Sequence, residues 1–206
     1  MVLKKGDFIE IEFLGKTEDG EIFDTNIKEE LKKMNIDSER KTIICIGEGM
    51  ILKSIDNFLL GKDLGEYILK LKPEEAFGLR KKELIKLMPI SVFKNSKEKL
   101  QPGMIFSFDN ILGKIISISG GRVLVDFNNP LAGKNIIYEI NIKSKIEDIN
   151  EKIKALMNYF FKREFEYEIK DKKLIIEAEK NFFSFINLFK DNFKRILDLE
   201  IEIKEK

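Results

Sequence analysis

The chain has 206 residues, 43% of them hydrophobic and 17 of them Phe, enough for one large domain or two to three small ones with a packed core. It contains no histidine and one cysteine, which removes a His general base, a Cys–His pair, His or Cys metal clusters and an internal disulfide. The net charge of +1 hides a layout: 12 basic against 17 acidic residues in 1–78, 9 against 4 in 79–127, 3 against 1 in 128–146 and 13 against 14 from 147 onward.

No uninterrupted apolar run approaches the roughly 18 residues of a membrane-spanning helix. Nor do the first residues carry an apolar stretch ahead of a cleavage site, so a soluble, cytoplasmic protein without membrane partners is expected. The Lys- and Glu-rich surface fits a heat-adapted organism with ion-pair networks, and an AT-rich coding bias would give the same skew. The basic middle suggests a separate module with its own partner. A charge of +5 over about fifty residues is too modest to favour nucleic acid.

In chain order, Asp7 to Leu14 alternates as a strand, Asp19 and Gly20 make a hairpin turn, and Ile22 to Asp24 resumes extended. Ile27, Leu31 and Met34 give a short helix, Thr42 to Ile46 a strand, and Ile51, Leu52, Ile55, Phe58 and Leu59 a second helix that stops at Gly61. The pair Gly47 and Gly49 lacks the third glycine and the Lys-Ser/Thr of a nucleotide loop, so phosphate binding is discounted there. Cys45, between Ile44 and Ile46, reads as buried rather than reactive. Tyr67 to Leu71 is again a strand, followed by a loop from Pro73 to Gly78.

An all-β stretch follows. Met88, Ile90 and Val92, then Met104, Phe106 and Phe108, then Ile116 and Ile118, then Val123, Val125 and Phe127 each alternate, with turns at Gln101-Pro102-Gly103 and Gly120-Gly121. Asn128 to Gly133 closes it, and Ile136 to Ile142 adds a strand. From Glu147 the pattern is α, β, β, α, β, a unit of about sixty residues that buries little core alone and calls for docking or dimerisation.

The order strand, Asp-Gly hairpin, Phe23-Asp24, Gly47-x-Gly49, short helix, Pro73-Glu-Glu-Ala-Phe77-Gly78, inserted β module and Asn128-Asn-Pro-Leu-Ala-Gly133 resembles the FKBP-type peptidyl-prolyl isomerases. It is closest to the SlyD-like branch with an insert-in-flap chaperone domain, in its long archaeal form. The likeness covers residues 3–146. It implies an α+β fold: an FKBP-type antiparallel sheet wrapped on a short helix (residues 1–84 plus 127–146), an all-β module inserted in the flap (85–126) and a C-terminal αββαβ domain (147–206). Residues 25–41 would be the longer loop of archaeal members.

The resemblance implies an enzyme that rotates X-Pro bonds without cofactor or metal. It assigns catalytic roles to Asp24, Phe77 and Tyr138, and substrate contacts to Phe13, Phe23, Ile51, Leu52 and Ile55, with the Leu52 N–H donating to a substrate carbonyl. From the residues alone, Asp24 reads rather as a cap of the helix at 27–34 and Phe13, Phe23, Ile51, Leu52, Ile55 and Tyr138 read as core, whereas Phe77, in a loop between Ala76 and Gly78, is not explained by strand or helix burial. The insert would hold unfolded or proline-containing polypeptides through Met88, Val92, Phe93, Met104, Phe106, Phe108 and Leu112, although at least half of these must form its own core.

Phe13 and Phe77 stand where tyrosines are common, Ile55 where many relatives place tryptophan, and Asn129 in place of histidine. No nickel site and weaker isomerisation are therefore expected. A holdase with little isomerase activity is the alternative, and a basic nucleic-acid or translation factor is a more distant one. The strand carrying Leu199, Ile201 and Ile203 offers an edge for homodimerisation through the C-terminal domain, or else a further client surface.

Overall fold

The computed structural model describes residues 2–36, 41–94 and 99–206, so residues 37–40 of the expected long loop and 95–98 of the expected insert lie outside the described residues. Two compact units emerge, one from residues 1–16, 20–69 and 137–206, the other from 17–19 and 70–136. The architecture is α+β, with three separate sheets and short helices.

In the first unit, β1 (Phe8–Thr17) is a strand as expected and continues three residues beyond Leu14, but it is covered on both faces: neighbouring Phe8 and Ile9 are both buried. Gly20, at φ +87°, turns the chain into β2 (Ile22–Thr25), antiparallel to β1. Then come α1 (Lys28–Lys33), β3 (Thr42–Cys45), antiparallel to the first half of β1, α2 (Lys53–Leu59) and β4 (Gly65–Leu71). Together with β9 (Ile136–Ile146), which runs four residues past the expected Ile142, these form a sheet of order β2-β1-β9-β4, with β3 also on β1.

The second unit contains a four-stranded antiparallel sheet of order β5-β8-β7-β6: β5 (Ile85–Pro89), β6 (Ile105–Phe108), β7 (Ile111–Ser119) and β8 (Arg122–Asp126). Gly120 and Gly121, both at positive φ, close the β7–β8 hairpin. The β6–β7 turn uses Asp109 and Asn110 at positive φ, a turn without glycine that composition did not announce. A bulge between Ile115 and Ser117 reverses the expected facing: Ile115 is 1% exposed and Ile116 39%. Ile115, Phe93, Val123 and Val125 form the core, with Met88, Met104, Phe106, Phe108 and Phe127 packed on it.

The module's ends meet where Ile85 lies opposite Asp126. Asp126 is buried, pairs with Arg80 and accepts the Asn128 N–H at 2.9 Å. Burial alone would raise its pKa, but the bonds from Asn128 and the Arg80 guanidinium prevail and hold it below its ordinary value. The ionised form therefore stabilises the fold above the unfolded pKa near 3.8, and that contribution is lost as pH falls toward the lower folded pKa. Asp126→Asn is expected to cost about 2 kcal/mol at neutral pH and to flatten the acid limb of a pH–stability curve measured by circular dichroism.

The C-terminal segment belongs to the first unit. Asp148 caps α3 (Ile149–Phe161) by accepting the Glu151 N–H. β10 (Glu166–Lys170) and β11 (Lys173–Ala178) pair antiparallel through a turn with Asp171 and Lys172 at positive φ. The single second helix expected from the sequence is two, α4 (Lys180–Asn187) and α5 (Lys190–Leu197), separated at Leu188 and Phe189. The interruption keeps Phe182, Ile186, Phe189 and Phe193 on one apolar side, so periodicity alone does not reveal it. α4 and α5 carry the chain across to β12 (Glu200–Glu205), which lies parallel to β11.

This segment does not form its core alone. One cluster joins Ile153, Leu156, Phe161, Leu174, Ile176 and Phe193 to Phe8 of β1 and Cys45 of β3. The docking that its small size called for is thus supplied within the chain. No helix is long and apolar enough to cross a membrane, among the described residues.

Candidate functional site

The site is built on the pairing of β1 with β2. Leu14 lies opposite Thr25 and Gly15 opposite Asp24, but Lys16 lies opposite Ile22, so the register shifts by one and Phe23 is the inserted residue of a bulge in β2. On a regular strand, neighbours point to opposite faces. The bulge breaks that rule and sends Phe23 and Asp24 toward the same group. That group is Tyr138 of β9: its ring sits edge-on to Phe23 at 5.8 Å, and its hydroxyl donates to Asp24 Oδ2 at 3.3 Å. Phe13 flanks the same ring at 6.2 Å.

Gly15 makes this convergence fit, because a Cβ there would stand 2.9 Å from Tyr138 Cε1 and 3.0 Å from Phe23 Cζ. Its role was not legible in the sequence, where it is one glycine in an alternating strand. Asn26 fastens the other end of β2 by accepting the Phe13 N–H at 2.7 Å and donating to the Ile11 carbonyl at 2.7 Å.

Desolvation of the Asp24 carboxylate raises its pKa, and this outweighs the lowering by the Tyr138 hydroxyl and the Thr25 backbone. Burial, then the Asp24 charge and hydrogen bond, pushes the Tyr138 phenol well up, so it stays a proton donor. Asp24 does not cap α1: the helix begins after Ile27, without a side-chain cap, and the Ile27 N–H donates instead to the Thr25 hydroxyl at 3.1 Å. That reading of Asp24 falls.

Ile51 and Leu52 are half-buried and immediately precede α2. Ile55, in the first turn of α2, has 0% exposure and so offers a ligand no open surface here. The amides that a phosphate loop would present are taken: Gly47 and Gly49 donate to the Asp56 carboxylate at 2.7 and 3.0 Å. Burial, with Glu48 and Asp56 nearby, pushes the Cys45 thiol up to about 12, which makes it inert at neutral pH. Phe77, half-buried, lies in the second unit, in the loop tied by Gly78 N–H to the Pro73 carbonyl and by Gly133 N–H to the Gly78 carbonyl.

A family model described as FKBP26, IF domain, matches residues 86–131. The short-type peptidyl-prolyl cis-trans isomerase of Methanocaldococcus jannaschii is 30% identical over 147 residues, 69% of this chain and 93% of that protein. The chain belongs to the FKBP-type peptidyl-prolyl isomerase family. Within the same family, the FKBP-type peptidyl-prolyl cis-trans isomerase SlyD of Pasteurella multocida is 26% identical over 159 residues, 74% of each chain. The FKBP-type 16 kDa peptidyl-prolyl cis-trans isomerase of Escherichia coli is 29% identical over 103 residues, 47% of this chain and 68% of that protein.

In this FKBP-type chain the expected client residues divide. Phe93 is buried, and Met88, Met104, Phe106 and Phe108 pack around it, with the Phe93 ring 5.3 Å from Phe106 and 5.5 Å from Phe108. These five belong to the module's own core, because the alternation that singles them out is what burying one sheet face requires. Val92 and Leu112 are exposed. The surprise is their company: Leu87, Ile105, Ile111 and Ile116 are exposed too, so the module leaves several large apolar side chains open to solvent.

Proposed function

We propose that the chain is a peptidyl-prolyl cis–trans isomerase acting on unfolded polypeptides, with a chaperone surface on the module at residues 85–126. The observation that carries the catalytic part is the convergence of Phe13, Phe23 and the Tyr138–Asp24 pair on one bulged strand pair, in a chain of this family.

Rotation about an X-Pro bond faces a barrier of about 18–20 kcal/mol from amide resonance, and takes tens to hundreds of seconds unaided. No nucleophile, proton relay or metal is required. An apolar enclosure favours the twisted amide, whose carbonyl has lost conjugation and charge separation, over the planar one. Rings at Phe13 and Phe23 would hold the prolyl group, backed by Tyr138, itself only 3% exposed, with the Asp24 carboxylate at the polar margin. Ile51 and the Leu52 N–H would hold the peptide edge and Ile55 would support them from the core, and the family resemblance makes Phe77 a catalytic residue as well. The chaperone part rests on the outward apolar side chains, above all Leu87 at 55%, Ile105 at 60% and Leu112 at 65% exposure. Charged Glu200, Glu202 and Lys204 alternate along β12, so homodimerisation through that strand is the weaker reading.

A pair of assays separates the two parts. With a proline-containing tetrapeptide, Asp24→Ala and Phe77→Ala are expected to lower kcat/KM about tenfold, and the Leu87→Ser/Ile105→Ser/Leu112→Ser form to leave it unchanged. In proline-limited refolding of a whole protein, the triple variant is expected to lose about tenfold as well, because tethering no longer raises the local concentration of X-Pro bonds. The acid limb of the tetrapeptide profile is expected above pH 3.8, since the raised Asp24 pKa brings protonation at higher pH, and to vanish in Asp24→Asn. A full chain that left both reactions at the uncatalysed rate would refute the isomerase reading and leave the holdase.

A further inference from the structure

The loop joining β3 to α2 is held from two sides. On the inner side, the Asp56 carboxylate takes the amides of Gly47 and Gly49. On the outer side, the C-terminal segment reaches it twice. Arg195 of α5 spans Glu48 with both guanidinium nitrogens, each 2.5 Å from one carboxylate oxygen, and Tyr159 of α3 donates its hydroxyl to the Gly49 carbonyl at 2.8 Å. Met50, next in the chain, packs on the core shared with the C-terminal segment. Ile51 and Leu52 follow directly.

We infer that Arg195 and Tyr159 are positioning residues for prolyl isomerisation: through Glu48 and Gly49 they fix the backbone that presents Ile51 and Leu52 to the substrate. This rests on the reading of Ile51 and Leu52 as the peptide-holding edge. The loop needs such support, because Gly47 and Gly49 both sit at positive φ and glycine leaves the backbone soft. Exposed ion pairs usually contribute little. Here, however, the Glu48 side chain is only 8% exposed, so without Arg195 its carboxylate would be desolvated and unpaired, and the loop would shift to hydrate it. The two-pronged contact also fixes direction, which a lysine's point charge cannot do. A preorganised edge lowers the ordering cost of binding, so its loss shows in KM rather than kcat.

The experiment compares the full chain with Arg195→Ala, Arg195→Lys, Tyr159→Phe and, as a control, Lys172→Ala, which breaks the exposed Lys172–Asp198 pair in the same segment. The measurements are kcat and KM for the proline tetrapeptide and hydrogen exchange of residues 47–52. Arg195→Ala is expected to raise KM about three- to tenfold with kcat little changed, and to speed exchange at 47–52. Tyr159→Phe should act in the same direction, Arg195→Lys should recover only part, and Lys172→Ala should do nothing. Unchanged KM and exchange in an active protein would overturn the inference. So would a parallel rise of exchange throughout the chain, which marks a merely structural role. If the unaltered chain has no isomerase activity, the isomerase reading and the kinetic role fall together, while exchange at 47–52 still decides whether Arg195 and Tyr159 hold the loop.

Discussion

Phe193→Ala is expected to lower the unfolding free energy by about 3–5 kcal/mol, the range for deleting a fully buried aromatic side chain. Phe193 has 0% exposure, stacks on Phe161 at 5.8 Å with the rings 7° from parallel, and touches Phe160 at 6.1 Å. Phe160 stacks in turn on Phe189 at 4.8 Å. Rings held on several sides collapse poorly into a void, so the cavity contribution adds to the lost transfer energy. Because the same core contains Phe8 and Cys45, the loss is expected in one cooperative urea transition of the whole first unit, followed by far-UV circular dichroism. A separate early transition of the C-terminal segment, with the remainder unmoved, would show that the shared core does not couple them.

The second large effect is expected at Gly15. Valine there is expected to reduce kcat/KM for the tetrapeptide by tenfold or more, on the order of 1.4 kcal/mol in the barrier, while the chain stays folded. A Cβ alone would meet the Tyr138 ring at 2.9 Å and the Phe23 ring at 3.0 Å, and Tyr138 is buried at 3% exposure. The ring must tilt, which strains its hydrogen bond to Asp24 and its edge contact with Phe23. Gly15→Ala should give a smaller loss in the same direction. Full activity in both variants would separate the Tyr138 geometry from catalysis.

Where burial alternates with a fixed period, the sequence was readable. Tyr67 to Leu71 and Leu174 to Ala178 are found as strands that each turn one face inward, and Phe8 to Leu14 is found as a strand although both of its faces are covered. Facing was misread where one residue is inserted: the bulge after Ile115 exposes Ile116, and nothing in the local pattern marks it. At the site, the motifs pointed to Phe13, Phe23, Asp24 and Tyr138, which the fold does bring together. The agents of that convergence, Gly15 and the bulge at Phe23, act through backbone geometry between distant strands and leave no compositional trace. Likewise Glu48, Tyr159 and Arg195 each read as an ordinary surface residue, since their meaning lies in contacts across more than a hundred residues of chain. Of the side chains expected at the client surface, Met88, Phe93, Met104, Phe106 and Phe108 pack in the module's own core while Val92 and Leu112 are exposed, because alternation tells which residues share a face and not which face is covered.

The shared core also has a consequence in time. Phe8 leaves the ribosome 153 residues ahead of Phe161 and 185 ahead of Phe193, which belong to the same cluster. At about 5–20 residues per second the N-terminal sheet therefore waits tens of seconds or less with Phe8 and Cys45 uncovered. During that interval this FKBP-type chain is itself unfinished, and the segment that ends the wait is the same one that grips Glu48.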